Sequence, residues 1–183
     1  MPVLLSAPSA VDADEFVAAV LASRDLHGPW IDLADTPARY HRYCERVGEP
    51  DHAAFLVRHG SCGGLVGVIN VNNIIRGALL SGSLGYAAFA SHAGRGLMTE
   101  GLRAVTDVAF GALGLHRLEA NIQPANGRSR RLVRRLGFEK EGLSPRYLLV
   151  DGDWRDHERW ALLVERWKAP PPTVTATARP EED

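Results

Sequence analysis

The sequence predicts one α/β (α+β) domain, a single layer of mixed sheet with helices on its faces. Three observations predict it. Apolar residues recur in turn with a period of two and with the period of a helix. Their order runs strand, two helices, antiparallel strands, then strand, helix, strand, helix and two closing strands. A length of 183 residues suits one sizeable core and is short for two.

Each element has a local cause. Val3–Ser6 reads as a short strand. Asp12, with Glu15 three residues on, predicts a capping box that opens a helix carrying Phe16, Val17, Val20 and Leu21. Thr36 as N-cap and Pro37 in the first turn open a second helix, which buries Tyr40, Tyr43, Cys44 and Val47. Ala53–His59 and Leu65–Asn72 form a hairpin about Ser61-Cys62-Gly63-Gly64. Leu79–Phe89 is extended. Leu97 to Leu113 is the strongest helix, with Met98, Leu102, Val105, Ala109 and Leu113 on one face. Leu115–Gln123 follows as a strand, and Asn126 to Leu136 as a helix stopped by Gly137. Tyr147–Val150 and Trp154–Val164 close the sheet through an Asp151-Gly152-Asp153 turn. Residues 1–168 therefore make the domain. Ala169–Asp183, with four prolines and almost nothing large and apolar, is expected to be a disordered tail.

Composition excludes several classes. With 45% hydrophobic and 23% charged residues, the chain is neither wholly disordered nor collagen-like nor a disulfide-stapled miniprotein. Its longest apolar runs, such as Val17–Leu21, fall far short of the roughly 20 residues of a membrane span. The start, Met-Pro-Val-Leu-Leu-Ser, lacks the positive charge that opens a secretory signal. A net charge of −1 supplies no global pull toward DNA or anionic lipid. Cys44 and Cys62 suit free thiols in a reducing compartment, so the expected location is cytoplasmic.

Two segments carry chemistry. Tyr86 to Met98 leads from a strand through Gly94-Arg95-Gly96 into a helix. Such a loop can aim several N–H groups at a phosphate beside the positive end of the helix dipole, or it is an ordinary glycine turn. Neither the Walker pattern nor Gly-x-Gly-x-x-Gly is present, so a nucleotide triphosphatase and a dinucleotide dehydrogenase are poorly supported. The second segment runs from Leu115 to Phe138. On its helix Ser129 shares an arc with Leu132, Val133 and Leu136, while Arg128, Arg130, Arg131, Arg134 and Arg135 lie opposite. Ser129 either reaches a site or bonds its own backbone. The arginines are either a solvated face or contacts to phosphates on a cofactor or RNA.

These residues together resemble the GNAT superfamily of N-acetyltransferases, and within it the RimJ/RimL branch of ribosomal-protein N-terminal acetyltransferases. The carriers are Leu84-Gly85-Tyr86, Gly94-Arg95-Gly96-Leu97-Met98, His116-Arg117 and Asn126-Gly-Arg-Ser129. Gly137-Phe138-Glu139-Lys140-Glu141-Gly142, Tyr147-Leu148-Leu149 and Trp154-Arg155-Asp156-His157 complete the set. The likeness covers roughly Asn70 to Leu163, with a fainter trace at Pro29-Trp30. The family's usual loop is Gln/Arg-x-x-Gly-x-Gly/Ala, and Ser91 stands here at its first position.

The resemblance implies a twisted sheet whose parallel strands, Leu84–Phe89 and Leu115–Gln123, splay apart around the pantetheine of acetyl-CoA. It implies transfer of acetyl to a primary amine by direct attack, without a metal. The implied cofactor-binding residues are Tyr86, Ala87, Ala88, His92, Ala93, Gly94, Arg95, Gly96, Leu97, Asn126 and Ser129. Glu119 is implied as the base, with His116 and His92 as rivals. Ser129 is the implied donor to the leaving sulfur, with Tyr147 as an alternative acid. Backbone N–H groups near Tyr86–Ala88 would meet the carbonyl oxygen. Trp30, Tyr40, Tyr147 and Trp154 are aromatic candidates for the acceptor side, or else core and strand-pair residues; Asp156 and His157 read as a turn-and-strand fixture. The expected acceptor is a protein N-terminus beginning Ala or Ser, a ribosomal protein among the candidates. The alternatives are a small amine such as an antibiotic, polyamine or amino acid derivative, and a ribosome- or RNA-associated binding module. The branch admits homodimers.

Overall fold

A computed structural model describes residues 2–167 of the chain. The segment expected to be disordered, 169–183, lies outside those residues. The described residues form one seven-stranded mixed sheet with helices on both faces. Its strands are β1 (Val3–Ser6), β2 (Ala53–His59), β3 (Leu65–Ile75), β4 (Ser81–Ala88), β5 (Arg117–Ile122), β6 (Glu139–Val150) and β7 (Asp153–Leu163). Their order across the sheet is β1-β2-β3-β4-β5-β7-β6. Every neighbouring pair is antiparallel except β4 and β5, which run parallel. The connection between those two is a helix, as a parallel crossover requires.

The helices are α1 (Ala13–Leu21), α2 (Arg24–His27), α3 (Pro37–Val47), α4 (Leu97–Phe110) and α5 (Gly127–Arg135). One core cluster packs α4 and α5 on one face through Leu102, Val105, Ala109 and Val133, all fully buried. The other packs α1 and α3 on the opposite face, where Phe16 and Tyr40 meet Leu56, Val68 and Phe89. Neighbouring residues of β2 serve the two faces in turn, Leu56 one and Val57 the other. That alternation is why this central strand is apolar on both sides.

Several elements depart from their expected form. The capping box sits three residues before Asp12–Glu15, at Ser9–Asp12. Asp12 Oδ2 accepts from the Ser9 amide at 2.9 Å and from Ser9 Oγ at 2.8 Å. Glu15 is free to hold Arg58 at 2.9 Å, and Asp12 Oδ1 holds the same guanidinium at 2.7 Å. Helix α4 ends at Phe110 and not at Leu113, because the chain leaves the helix through Gly111 and Gly114, the latter at φ +61°. Strand β6 starts at Glu139, eight residues before Tyr147. Glycine and proline interrupt its alternation, and a break in register between Ser144 and Leu148 absorbs the irregularity. The Asp151-Gly152 turn is as expected, with φ values of +51° and +79°.

Candidate active site

The site begins where a ladder stops. Strand β4 pairs with β5 only from Ser81 opposite Arg117 to Leu84 opposite Ala120. Beyond that point β4 stays paired with β3 as far as Ala88, while β5 follows β7 to Ile122. The two strands therefore diverge. On β4 the backbone groups alternate in direction, and the Phe89 amide bonds Val66 on the β3 side at 2.8 Å. Gly85 and Ala87 share that direction, so Tyr86 and Ala88 turn theirs into the gap. His27 Nε2 takes the Ala88 carbonyl at 2.9 Å, which leaves the Ala88 N–H and both groups of Tyr86 open to the gap.

Two clefts meet along β4. One, of about 880 Å³, runs from Tyr86 and Ala88 past Gly94 and Gly96 to Asn126 and Ser129. The other, of about 1210 Å³, is bordered by Ser81 to Gly85, Glu119, Tyr147 and Arg159. Trp30 borders both. The first also takes Asp25 and Leu26 from around α2, a helix that sequence periodicity misses because it is one turn long. Ser23 anchors that turn by accepting the Ala90 amide at 2.9 Å.

The glycine loop fits a pyrophosphate. Gly94 and Gly96 both sit at φ +78° with open space where a Cβ would be, and Gly96 caps α4. The first-turn N–H groups of Leu97 and Met98 have no intrahelical partner. They point where an anion is favoured by the helix dipole. His92 and Ala93 line the same cleft. His92 stacks on His59 with ring centroids 5.4 Å apart. Burial, then His59 and Arg95, push its pKa below the usual imidazole value. Ser91 donates to the Leu65 carbonyl at 3.4 Å instead of reaching the loop. Two expected contacts stand away from the cleft. Ala87 is buried in the α1–α3 core cluster, and the exposed Arg95 is not among the cleft's lining residues.

Ser129 and Tyr86 come together across the gap. The Tyr86 hydroxyl stands 2.5 Å from Ser129 Oγ. Burial pushes the Tyr86 pKa up to about 12, with the serine contact opposing in part, so the phenol keeps its proton. Asn126 caps α5 by accepting the Ser129 amide at 3.1 Å, which fixes the first turn and the serine with it. The sequence gives Tyr86 only a backbone role, and nothing local reveals a partner 43 residues away.

Glu119 lies in the second cleft, held between two guanidiniums. Arg117 Nε donates to it at 2.8 Å and Arg159 Nη2 at 2.6 Å. Burial alone would raise its pKa; the two arginines bring it below the ordinary glutamate value. Arg159 lies 4.7 Å over the Tyr147 ring. His116 is on the outer surface, bonded to Glu165 at 2.8 Å. Tyr40 is in the core, not on the acceptor side, and Trp154 is 61% exposed at the β6–β7 hairpin. Asp156 accepts the Arg146 amide at 2.8 Å, and the buried His157 bonds the Arg155 carbonyl at 2.9 Å; both act as strand fixtures.

Comparison with known proteins agrees with this geometry. The acetyltransferase (GNAT) domain family matches residues 3–139. The chain belongs to the GNAT acetyltransferase family. Acetyl-CoA is the acetyl donor of that family, so this chain is an acetyl-CoA-dependent acetyltransferase. It is 38% identical over 125 residues to the "Probable N-acetyltransferase YjcK" of Bacillus subtilis (strain 168), covering 68% of this chain and 69% of that one. It is 44% identical over 103 residues to the [ribosomal protein uS5]-alanine N-acetyltransferase of Escherichia coli (strain K12). That match spans 56% of this chain and about half, 53%, of the relative. Mycobacterium smegmatis RimJ, solved in complex with CoA-disulfide, superposes with a TM-score of 0.81 at 32% identity, over 89% of this chain and 82% of that one.

Proposed function

We propose that this GNAT enzyme acetylates the N-terminal α-amino group of a protein, with Ala or Ser first and a ribosomal protein as the leading candidate, in the cytoplasm. The observation that carries the reading is the second cleft. Of its three carboxylates, Asp32 is bonded to Arg39 at 2.6 Å and Glu119 to both Arg117 and Arg159, while Asp151, at the β6–β7 turn, is exposed and has no ion-pair partner among the described residues. Arg46 adds positive charge to the same walls. A polyamine needs several unpaired carboxylates, and this cleft offers one, at its outer turn. The rim instead carries Ile75, Leu79, Leu148 and Leu149, each more than 40% exposed, which suits the side chains of an extended peptide. Likeness to the uS5-alanine enzyme supports the same choice.

Acetyl-CoA supplies the thioester acetyl group; the chain supplies alignment and hydrogen bonds. The Gly94–Met98 backbone would hold the pyrophosphate, and the free groups of Tyr86 and the Ala88 N–H would pair with the pantetheine arm and the thioester carbonyl oxygen. Glu119, kept ionised by its arginines, accepts an N–H bond from the acceptor nitrogen at the mouth of the gap, directly or through water. The acceptor's ammonium first loses a proton to water; the neutral amine nitrogen then bonds the acetyl carbon, the carbon–sulfur bond breaks, and a second proton leaves the nitrogen for water. Tyr86 donates to Ser129 Oγ, which frees the serine O–H to hydrogen-bond the departing thiolate. An α-amine, with a pKa of about 7.7–8.0, reaches its neutral form more easily than lysine at about 10.4.

The test is thiol release from acetyl-CoA with peptides beginning Ala, Ser and Met, with spermidine and an aminoglycoside, and with no acceptor. Turnover confined to Ala and Ser peptides is expected. Turnover confined to the small amines would overturn the acceptor choice and leave the fold and donor standing.

A further inference from the structure

The arginines of α5 divide into two sides. Arg130 turns to the β6–β7 hairpin, with Nε 2.9 Å from Glu158 Oε2. Arg128, Arg131 and Arg135, spaced i, i+3 and i+7, fall within a stripe of roughly 60°. All three line the cleft that holds the glycine loop, and Arg130 and Arg134 do not. All three are exposed. Among the described residues no carboxylate pairs with any of them. Three unmatched positive charges on one wall of a cleft repel one another, so the stripe is suited to an anion that enters it.

Acetyl-CoA has more anion than the glycine loop can meet. Backbone N–H groups at the start of α4 suit the pyrophosphate, whose oxygens need several donors at short range. The 3′-phosphate of the ribose remains, a monoester close to a dianion at pH 7. Guanidinium forks match such a group better than backbone amides do, through paired, charge-assisted N–H···O bonds. We propose that Arg131 and Arg135, with Arg128 beside them, form a dedicated site for the 3′-phosphate of coenzyme A. The enzyme thereby distinguishes coenzyme A from its 3′-dephospho form. The inference rests on acetyl-CoA as donor and is independent of the acceptor.

Calorimetric titration of the full chain with coenzyme A and with 3′-dephospho-coenzyme A tests it without any turnover. The wild type is expected to prefer coenzyme A by about tenfold or more, the scale of one strong ionic hydrogen bond. In the double variant Arg131→Ala/Arg135→Ala the preference falls to near unity, while affinity for the dephospho form stays within about twofold. That unchanged affinity also reports an intact fold. Arg134→Ala removes the same charge from the other side of the helix and keeps the preference. Equal affinities in the wild type, or a preference that survives in the double variant, would overturn the proposal. So would a short RNA that binds the wild type and is lost from the double variant while the coenzyme preference persists, since the stripe would then serve RNA. If the wild type bound neither coenzyme, the donor reading itself would fall, whatever the acceptor panel gave.

Discussion

Ser129 and Tyr86 are the pair on which the proposed chemistry turns. If the serine hydroxyl stabilises the departing thiolate, Ser129→Ala lowers kcat by about 10- to 100-fold, the value of a hydrogen bond to a charged group. Steady-state kinetics on an Ala peptide check this, with the KM for acetyl-CoA little changed. Tyr86→Phe removes only the donor behind the serine, so its loss in kcat is smaller, about three- to tenfold. The pH dependence belongs to the same scale. Glu119 is held below the ordinary glutamate pKa, and so it stays ionised across the working range. The remaining titration is the acceptor's: log kcat/KM rises by about one unit per pH unit and flattens above about pH 8. A plateau already reached near pH 6.5 would assign the proton to a histidine of the enzyme instead. Ser129 is legible in the sequence because helix projection puts it with Leu132 and Val133. The Tyr86 hydroxyl is not, since the sheet makes that contact and no local pattern encodes it.

At the scale of elements, two glycines set how closely helix α4 approaches the sheet. A Cβ on Gly101 would stand 2.9 Å from Val57 Cγ1, and one on Gly67 would stand 2.4 Å from both the Ala87 carbonyl oxygen and Met98 Sδ. Alanine in a helix is worth about 1 kcal/mol over glycine, yet Gly101→Ala is expected to destabilise, because overpacking costs about 1–3 kcal/mol. Urea unfolding checks the sign. Gly67→Ala is expected to do more, because it pushes on β4 backbone and on the first turn of α4 at once. The long elements α3, α4 and β2 are legible because their apolar periods are sustained. Helix α2 offers a single turn and no period, and β6 hides behind its glycine and proline. The limits of α4 fail for a different reason. Leu113 packs on the core from beyond the helix end, so the apolar pattern outlasts the hydrogen bonds.

On the scale of the whole molecule, one buried carboxylate ties three elements together. Glu158, only 4% exposed, takes Lys140 of β6 at 2.7 Å and Arg130 of α5 at 2.9 Å from its place on β7. Burial would raise its pKa, but Lys140, Trp160 and Arg130 bring it below the usual value. A carboxyl lowered on folding stabilises above its unfolded pKa, near 4.5, and that contribution fades as pH falls through the lowered value. Acid is therefore expected to weaken the tie between β7 and α5. Urea midpoints measured from pH 6 to 3 are expected to fall less steeply in Glu158→Gln than in the wild type, from a lower starting point. The larger plan is a sheet that opens between two parallel strands, with the cleft proposed for the donor on one side and the cleft proposed for the acceptor on the other. Donor motifs are local in sequence and could be recognised there. The proposed acceptor cleft gathers Trp30, Asn72, Glu119, Tyr147 and Arg159 from across the chain, and only the fold brings them together. Its most direct test is mass mapping of the product. A peptide that begins with Ala and carries an internal lysine is treated with enzyme and acetyl-CoA, and the modified nitrogen is located by fragment masses. Acetyl on the α-nitrogen alone is the predicted result, and acetyl on the lysine side chain, with the terminus untouched, contradicts the account.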